Sequence, residues 1–198
     1  SQSYFLEYVN TTFRQITDGF IKEDLGMLHK AESTMRRKRE ELKNSRRKEM
    51  IGFRKIDPEV AMEKNTWFHL GRNSCEEILY CLRRIADPCE EHVDNNFVPL
   101  SKEQVKEYIP LRDTVLFLLR RTGKILQTDS YGEVDDVRRE AEELKDCLEK
   151  AREAQMQRMQ SSKENITVAY LYLNLLQETR ELTSSLRHLL RASKGFRE

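Results

Sequence analysis

The chain has 198 residues, enough for one domain or two small ones. Its 35 Lys and Arg residues nearly balance its 34 Asp and Glu residues, so the formal net charge is only +1. With 7 Gly and 4 Pro it has few turn residues, which argues against an all-β sandwich or barrel and favours amphipathic helices. Collagen-like, disulfide-scaffold and low-complexity classes are excluded.

No apolar run approaches the roughly 20 residues that span a bilayer, and no signal peptide is visible. The sequence begins with Ser-Gln-Ser rather than Met, so we expect it to be a piece of a longer chain. The four cysteines lack CxxC spacing, which favours reduced thiols in a cytosolic setting.

Apolar residues three or four positions apart predict six helices. The first predicted helix carries Phe5, Val9, Phe13, Ile16 and Phe20. The second runs from about Asp24 to Met50 and should be the least buried, because its middle is strongly charged. A loop is predicted from Gly52 to Asp57.

The third predicted helix starts at Pro58, with Asp57 as its N-cap, and runs to about Asn95. Pro88 lies inside it, and because the apolar spacing continues past Pro88 we expect a kink there. The alternative is a new helix with Asp87 as its N-cap. Residues 96–100 form the clearest internal break.

The second half repeats this order of three helices, again with one internal proline. The fourth predicted helix is capped by Ser101 and Gln104 and has a kink at Pro110. A turn from Thr128 to Gly132 follows, and the fifth predicted helix runs from Glu133 to about Gln160. The sixth is capped by Ser161 or Ser162 and ends near Ser193.

The third and sixth predicted helices superpose with a shift of 97 residues. Ile78 then aligns with Leu175, and Ile85 aligns with Leu182. The match predicts a duplicated three-helix unit, with repeats at 1–96 and 97–198 in one all-α domain. Any two amphipathic helices match partly, since both repeat every 3.6 residues, so a chance likeness stays open as the alternative.

The sequence contains no GxGxxG, Walker A, GxSxG or HExxH motif, and we expect no catalysis and no cofactor. Asp87, Glu91 and either Asp94 or Asn95 share one helix face and are candidate metal ligands if a second helix supplies more carboxylates. The alternative is a solvated acidic face. The carboxylates considered as additional donors are Asp129, Asp135 and Asp136.

A cluster of eight cations within thirteen residues of the second predicted helix is the most pronounced charge feature. It consists of Arg36, Arg37, Lys38, Arg39, Lys43, Arg46, Arg47 and Lys48. Such a run is typical of a solvated helix face, or of contact with anionic lipid headgroups or an acidic partner. Nucleic acid is disfavoured because the net charge is near zero and no aromatic residue interrupts the run.

Two segments resemble a known family. The segment 82–89, LRRIADPC, resembles the hydrophobic–x–Arg–Ile–Gly–Asp stretch of PhoU-like proteins, which consist of two three-helix repeats. The segments 170–180, YLYLNLLQETR, and 186–192, LRHLLRA, resemble the PhoU-like C-terminal domain of bacterial Na/Pi cotransporters.

PhoU proteins that bind metal carry an acidic residue, three spacers and an Asp in each repeat. The matching positions here hold Arg83 with Asp87 and Arg180 with Ser184, so the resemblance implies no metal site.

The resemblance implies a six-helix PhoU-like bundle that serves as a regulatory or structural cytoplasmic domain of a sodium-dependent phosphate transporter. Its expected partners are the transmembrane portion of the same polypeptide, a second copy of the chain and an anionic lipid surface at the cytoplasmic face of the inner membrane. The main alternative is a free-standing PhoU-like regulator that binds a transporter or a sensor kinase. Two others are a metal-dependent bundle enzyme using Asp87, Glu91 and His92, and a generic coiled scaffold.

Overall fold

The computed structural model describes the backbone of residues 2–53, 58–161 and 163–197, and the side chains of these except at 45–53, 58, 60 and 61. The regular structure of these residues is entirely helical, which confirms the predicted all-α class. The helices are α1 (Gln2–Ile21), α2 (Leu25–Phe53), α3 (Pro58–Asp94), α4 (Lys102–Thr128), α5 (Val134–Ser161) and α6 (Ile166–Arg197), with one 3₁₀ turn (Tyr131–Glu133) before α5.

Two antiparallel helix pairs form the centre of the bundle. α3 packs along α6, and α1 packs along α4. α1 also contacts α3, and α4 contacts α6, so the four helices enclose a common core. α2 then packs against α1 and α3, while α5 packs against α4 and α6. Each flanking helix therefore covers the groove between two central helices.

Polar contacts between helices fix how the pairs align. Arg84 of α3 donates from Nε to Glu178 of α6 at 2.8 Å. Nη1 of Arg112 on α4 lies 2.6 Å from Oδ1 of Asp18 on α1, and the Arg112 side chain is only 11% exposed. Because a partly buried charge is costly without a partner, these two pairs favour one register between the central helices.

Large apolar and aromatic side chains fill the core. Tyr108, Tyr172, Phe13, Phe20 and Ile85 are almost completely buried. The hydroxyl groups of the two tyrosines are not left unpaired, since Tyr108 shares a hydrogen bond of 2.8 Å with Thr179 and Tyr172 donates to Glu107 at 2.7 Å. Burial of the two rings therefore leaves neither hydroxyl group without a hydrogen bond.

Helix α3 passes through Pro88 without interruption. The alternative of a new helix at Asp87 is therefore wrong, and Pro110 likewise lies inside α4. Ile85, Cys89 and His92 are buried in helical register on both sides of Pro88. This continuous burial accounts for the survival of the helix, since it offsets the backbone hydrogen bond that a proline removes.

The predicted ends of two helices need correction. α2 continues to Phe53, past the predicted loop start at Gly52. α6 begins after Asn165, whose side chain accepts from the Val168 amide at 3.1 Å, whereas Ser161 is the last residue of α5. The Ser101 capping box is confirmed. Asp57 and Ser162 lie outside the described residues.

The burial pattern of α3 recurs in α6 at the shift of 97 residues. Every buried residue between Gly71 and His92 aligns with a buried residue of α6. Ile85 and Leu182, for example, are 1% and 0% exposed. Both helices thus present the same kind of face to the core over about six turns.

None of the helices in the described part of the chain is both long and apolar enough to cross a lipid bilayer.

We expect Ile85→Ala and Leu182→Ala each to lower the free energy of unfolding by about 2–5 kcal/mol, because each opens a cavity between α3 and α6. Urea unfolding followed by circular dichroism measures this. Gln177→Ala, at an exposed position of α6, is the control and should change stability by about 0.5 kcal/mol or less. Equal effects in all three variants would contradict the central position of the α3–α6 contact.

Candidate functional site

The predicted basic cluster divides into three groups around α2. Arg36 and Arg37 are exposed and point to solvent, and Arg36 pairs with Glu32 one turn earlier. Lys38 turns toward α1 instead, where its ammonium lies 5.2 Å from the centre of the Tyr8 ring. The same ammonium lies 3.2 Å from the carboxylate of Glu41, one turn later on α2. Lys38 is therefore a packing residue rather than part of an open basic surface.

The third group, Arg39 and Lys43, lies on the side of α2 that faces α3. These two residues line a groove of about 430 Å³ between the helices. Among the described residues neither forms an ion pair. The side chains of Arg46, Arg47 and Lys48 lie outside the described residues.

The opposite wall and the floor of this α2/α3 groove come mainly from α3. Arg83 supplies a third cation and Glu76 a single carboxylate. Leu42 of α2 and Leu79 of α3, together with the Tyr80 ring, supply the apolar surface. The described lining of the groove thus combines three cations, one carboxylate and an apolar floor.

Two side chains on the α3 wall are held in place by neighbours. Arg83 lies 3.3 Å from Asp87, one turn along the helix, and both side chains are about half exposed. The Arg84 guanidinium lies 4.2 Å from the centre of the Tyr80 ring, whose residue is 55% exposed. Because an exposed ion pair contributes little, the Arg83 charge remains able to contact an anion.

The candidate metal ligands Asp87, Glu91 and Asp94 are exposed on α3. In the described part of the chain, no group of three His, Cys, Asp or Glu side chains is placed to hold a metal ion. The donors considered on α5 have other partners, since Asp135 pairs with Arg138 and Asp136 with Arg139.

Neighbouring groups on α3 have structural contacts. His92 is buried, packs edge-on against Phe20 and Phe97, and donates from Nε2 to the Val98 carbonyl. It therefore ties the α3–α4 connection to the core. Glu90 turns toward α2, 2.8 Å from His29, and burial together with a hydrogen bond to Glu32 raises its pKa.

A second concave region lies where α1 begins and α4 and α6 end, beside Trp67 and Phe68 in the third turn of α3. It holds about 510 Å³ and is lined by aromatic side chains, including Tyr4, Trp67 and Phe196. Trp67 is half-buried on its wall. This cleft carries little charge and is distinct from the α2/α3 groove.

No protein-family model, curated protein or solved structure matches this chain.

Sequence reasoning found the cations of α2 but missed the α3 half of the groove. Leu79 and Tyr80 carry no motif, and their role depends on which face of α3 packs against α2. Arg83 is singled out in the sequence through the family-like segment 82–89, where it stands at a position that is acidic in PhoU proteins that bind metal. The one usable signal is Tyr80, an aromatic residue at an exposed position between the buried Leu79 and Cys81.

The four cysteines, which are all free, should differ sharply in reactivity. Burial raises the pKa of the Cys75 and Cys81 thiols to about 12 and also raises the pKa of Cys89. Because the thiolate is the nucleophile, we expect Ellman's reagent at about pH 8 to modify only the exposed Cys147 rapidly. Unfolding in urea should expose the other three.

Cys147→Ser is the control for this measurement, and it should abolish the rapid phase. Fast modification of two or more thiols in the folded protein would contradict the described core.

Proposed function

We propose that this chain is a non-catalytic regulatory and structural domain of a sodium-dependent phosphate transporter, built from two three-helix repeats at 1–96 and 97–198. In this role it contacts the transmembrane portion of the same polypeptide at the cytoplasmic face of the inner membrane, and two copies pair there. Its effect on transport comes from binding rather than from chemistry.

The packing of the helices supports the duplication. In each half the three helices contact one another, and the contacts between halves join α1 with α4 and α3 with α6. These are the pairs that a two-fold relation between repeats would place together. The recurrence of the α3 burial pattern in α6 adds to this support.

The observation that carries the proposal is where the family-like segments lie. The segment 82–89 is in α3 and the segment 170–192 is in α6, and these two segments pack against each other at the centre of the bundle. Arg84 of the first binds Glu178 of the second at 2.8 Å, and Asn174 donates to the Arg84 carbonyl at 3.1 Å. The resemblance therefore covers the helix pair on which a PhoU-like bundle would be built.

The exposed cations of α2 support a location beside an anionic membrane surface. Arg36 and Arg37 are both exposed on the outer face of the helix. Each Lys or Arg near an anionic bilayer contributes roughly 1 kcal/mol of attraction, and this attraction falls off within a Debye length.

We expect the purified chain to bind vesicles containing phosphatidylglycerol at low salt, and Arg36→Glu with Arg37→Glu to weaken this binding by at least about tenfold. Vesicle sedimentation measures it. The matched control is Arg138→Glu with Arg139→Glu, an adjacent arginine pair on α5 that is exposed to a similar extent.

Two results would count against the membrane contact. One is the absence of binding to anionic vesicles at low salt. The other is an equal loss of binding in the α2 and α5 variants, which would indicate a general effect of net charge rather than a face of α2.

Sodium-dependent phosphate uptake tests the functional proposal itself. We expect deletion of the gene that encodes this chain to remove the sodium-dependent component of radiolabelled phosphate uptake, and the intact gene to restore it. An in-frame deletion of residues 2–197 should alter how uptake responds to external phosphate. Unchanged sodium-dependent uptake after the gene deletion would contradict the proposal.

A further inference from the structure

Among the described residues, the α2/α3 groove is lined by more cations than carboxylates. Arg39 and Lys43 line it from α2 without an ion-pair partner among the described residues. Arg83 faces them from α3, and its ion-pair partner among the described residues is the half-exposed Asp87. The groove therefore offers an anion cations from two helices at once.

An apolar floor lies directly beside these cations. Leu42 and Leu79 form part of it, and the 55% exposed Tyr80 ring borders it. Tyrosine is enriched where an apolar body meets a polar boundary, because its ring is apolar and its hydroxyl is polar. A ligand that fits this groove carries a negative charge at one end and a hydrocarbon at the other.

We propose that the α2/α3 groove binds a single anionic phospholipid. Arg39, Lys43 and Arg83 contact its phosphate, while Leu42, Leu79 and Tyr80 contact the first methylene groups of an acyl chain. This inference rests on the proposed placement of α2 at an anionic membrane surface, and it turns that general attraction into a defined lipid site.

The dimensions of the floor favour a lipid over an acidic helix of a partner protein. A helix in a groove needs apolar anchors along two or more turns, at i, i+3 or i+4 and i+7. As such anchors, the described side chains of this groove, which holds about 430 Å³, offer two leucines and a tyrosine. An acyl chain is thin enough to lie over so short a floor.

The same floor distinguishes a lipid from free phosphate. Inorganic phosphate could meet the three cations but would leave Leu42, Leu79 and the Tyr80 ring exposed to water. A lipid also removes part of that apolar surface from water, at roughly 25 cal/mol per Å². We therefore expect the lipid to bind more tightly than its headgroup alone.

The experiment uses dihexanoyl phosphatidylglycerol below its micelle concentration, titrated into the purified full chain. Backbone amide shifts from nuclear magnetic resonance report the location, and calorimetry reports the affinity. Three further probes separate the sources of binding: dihexanoyl phosphatidylcholine, glycerol 3-phosphate and a short polyglutamate peptide. We expect saturable binding of the phosphatidylglycerol, with shifts concentrated at residues 39–43 and 79–83.

Three variants assign the binding to the groove. Arg39→Gln with Lys43→Gln should weaken phosphatidylglycerol binding by about tenfold or more, because two cations are lost. Tyr80→Ser should weaken lipid binding while leaving glycerol 3-phosphate binding unchanged. Arg36→Gln with Arg37→Gln removes the same charge from the same helix outside the groove, and it should change binding by less than about twofold.

Four outcomes would overturn the proposal: equal losses in the two double variants, equal binding of phosphatidylcholine, shifts that map elsewhere, or polyglutamate binding more tightly through the same residues. The last would assign the groove to an acidic protein. If vesicles bind through Arg36 and Arg37 but the short lipid does not saturate, the groove site is wrong while the membrane contact stands. If the short lipid binds in the groove but vesicles do not bind, the groove site stands while the membrane contact is wrong.

Discussion

The antiparallel packing of α3 on α6 is the contact on which the rest of the structure depends. Both helices are long, and both bury the same pattern of positions against each other and against the flanking helices. The Arg84–Glu178 pair favours one register, because sliding the helices would leave partly buried charges without partners. Once this pair is fixed, α1 and α4 complete the core, and α2 and α5 cover its two sides.

Helix periodicity was sufficient to predict the six helices, because amphipathic spacing is a direct consequence of one buried face. The Ser101 capping box was also predictable, since it is a local motif. The start of α6 was not, because Asn165 and Ser161 are both good N-cap residues and only the path of the chain decides between them. Pro88 was ambiguous for a similar reason, since its tolerance depends on packing around the whole of α3.

The candidate site shows the same division between local and tertiary information. A run of cations on α2 is visible in the sequence, but the structure assigns its members to different surroundings. Lys38 packs on Tyr8, Arg37 points to solvent and Arg39 enters a groove. Leu79 and Tyr80 of the α3 wall carry no sequence motif, because they become neighbours of α2 only when the hairpin folds. A charge run therefore predicts attraction to anions without predicting a site.

The genomic sequence upstream of the codon for Ser1 tests the central claim most directly. A domain of a sodium-dependent phosphate transporter should follow several apolar segments of about 20 residues each, interrupted by Gly-, Ser- or Gln-rich breaks. That result would join this bundle to the membrane on which its basic helix is proposed to lie. A start codon immediately upstream of Ser1 would contradict the account, because the chain would then have no transmembrane portion in the preceding sequence.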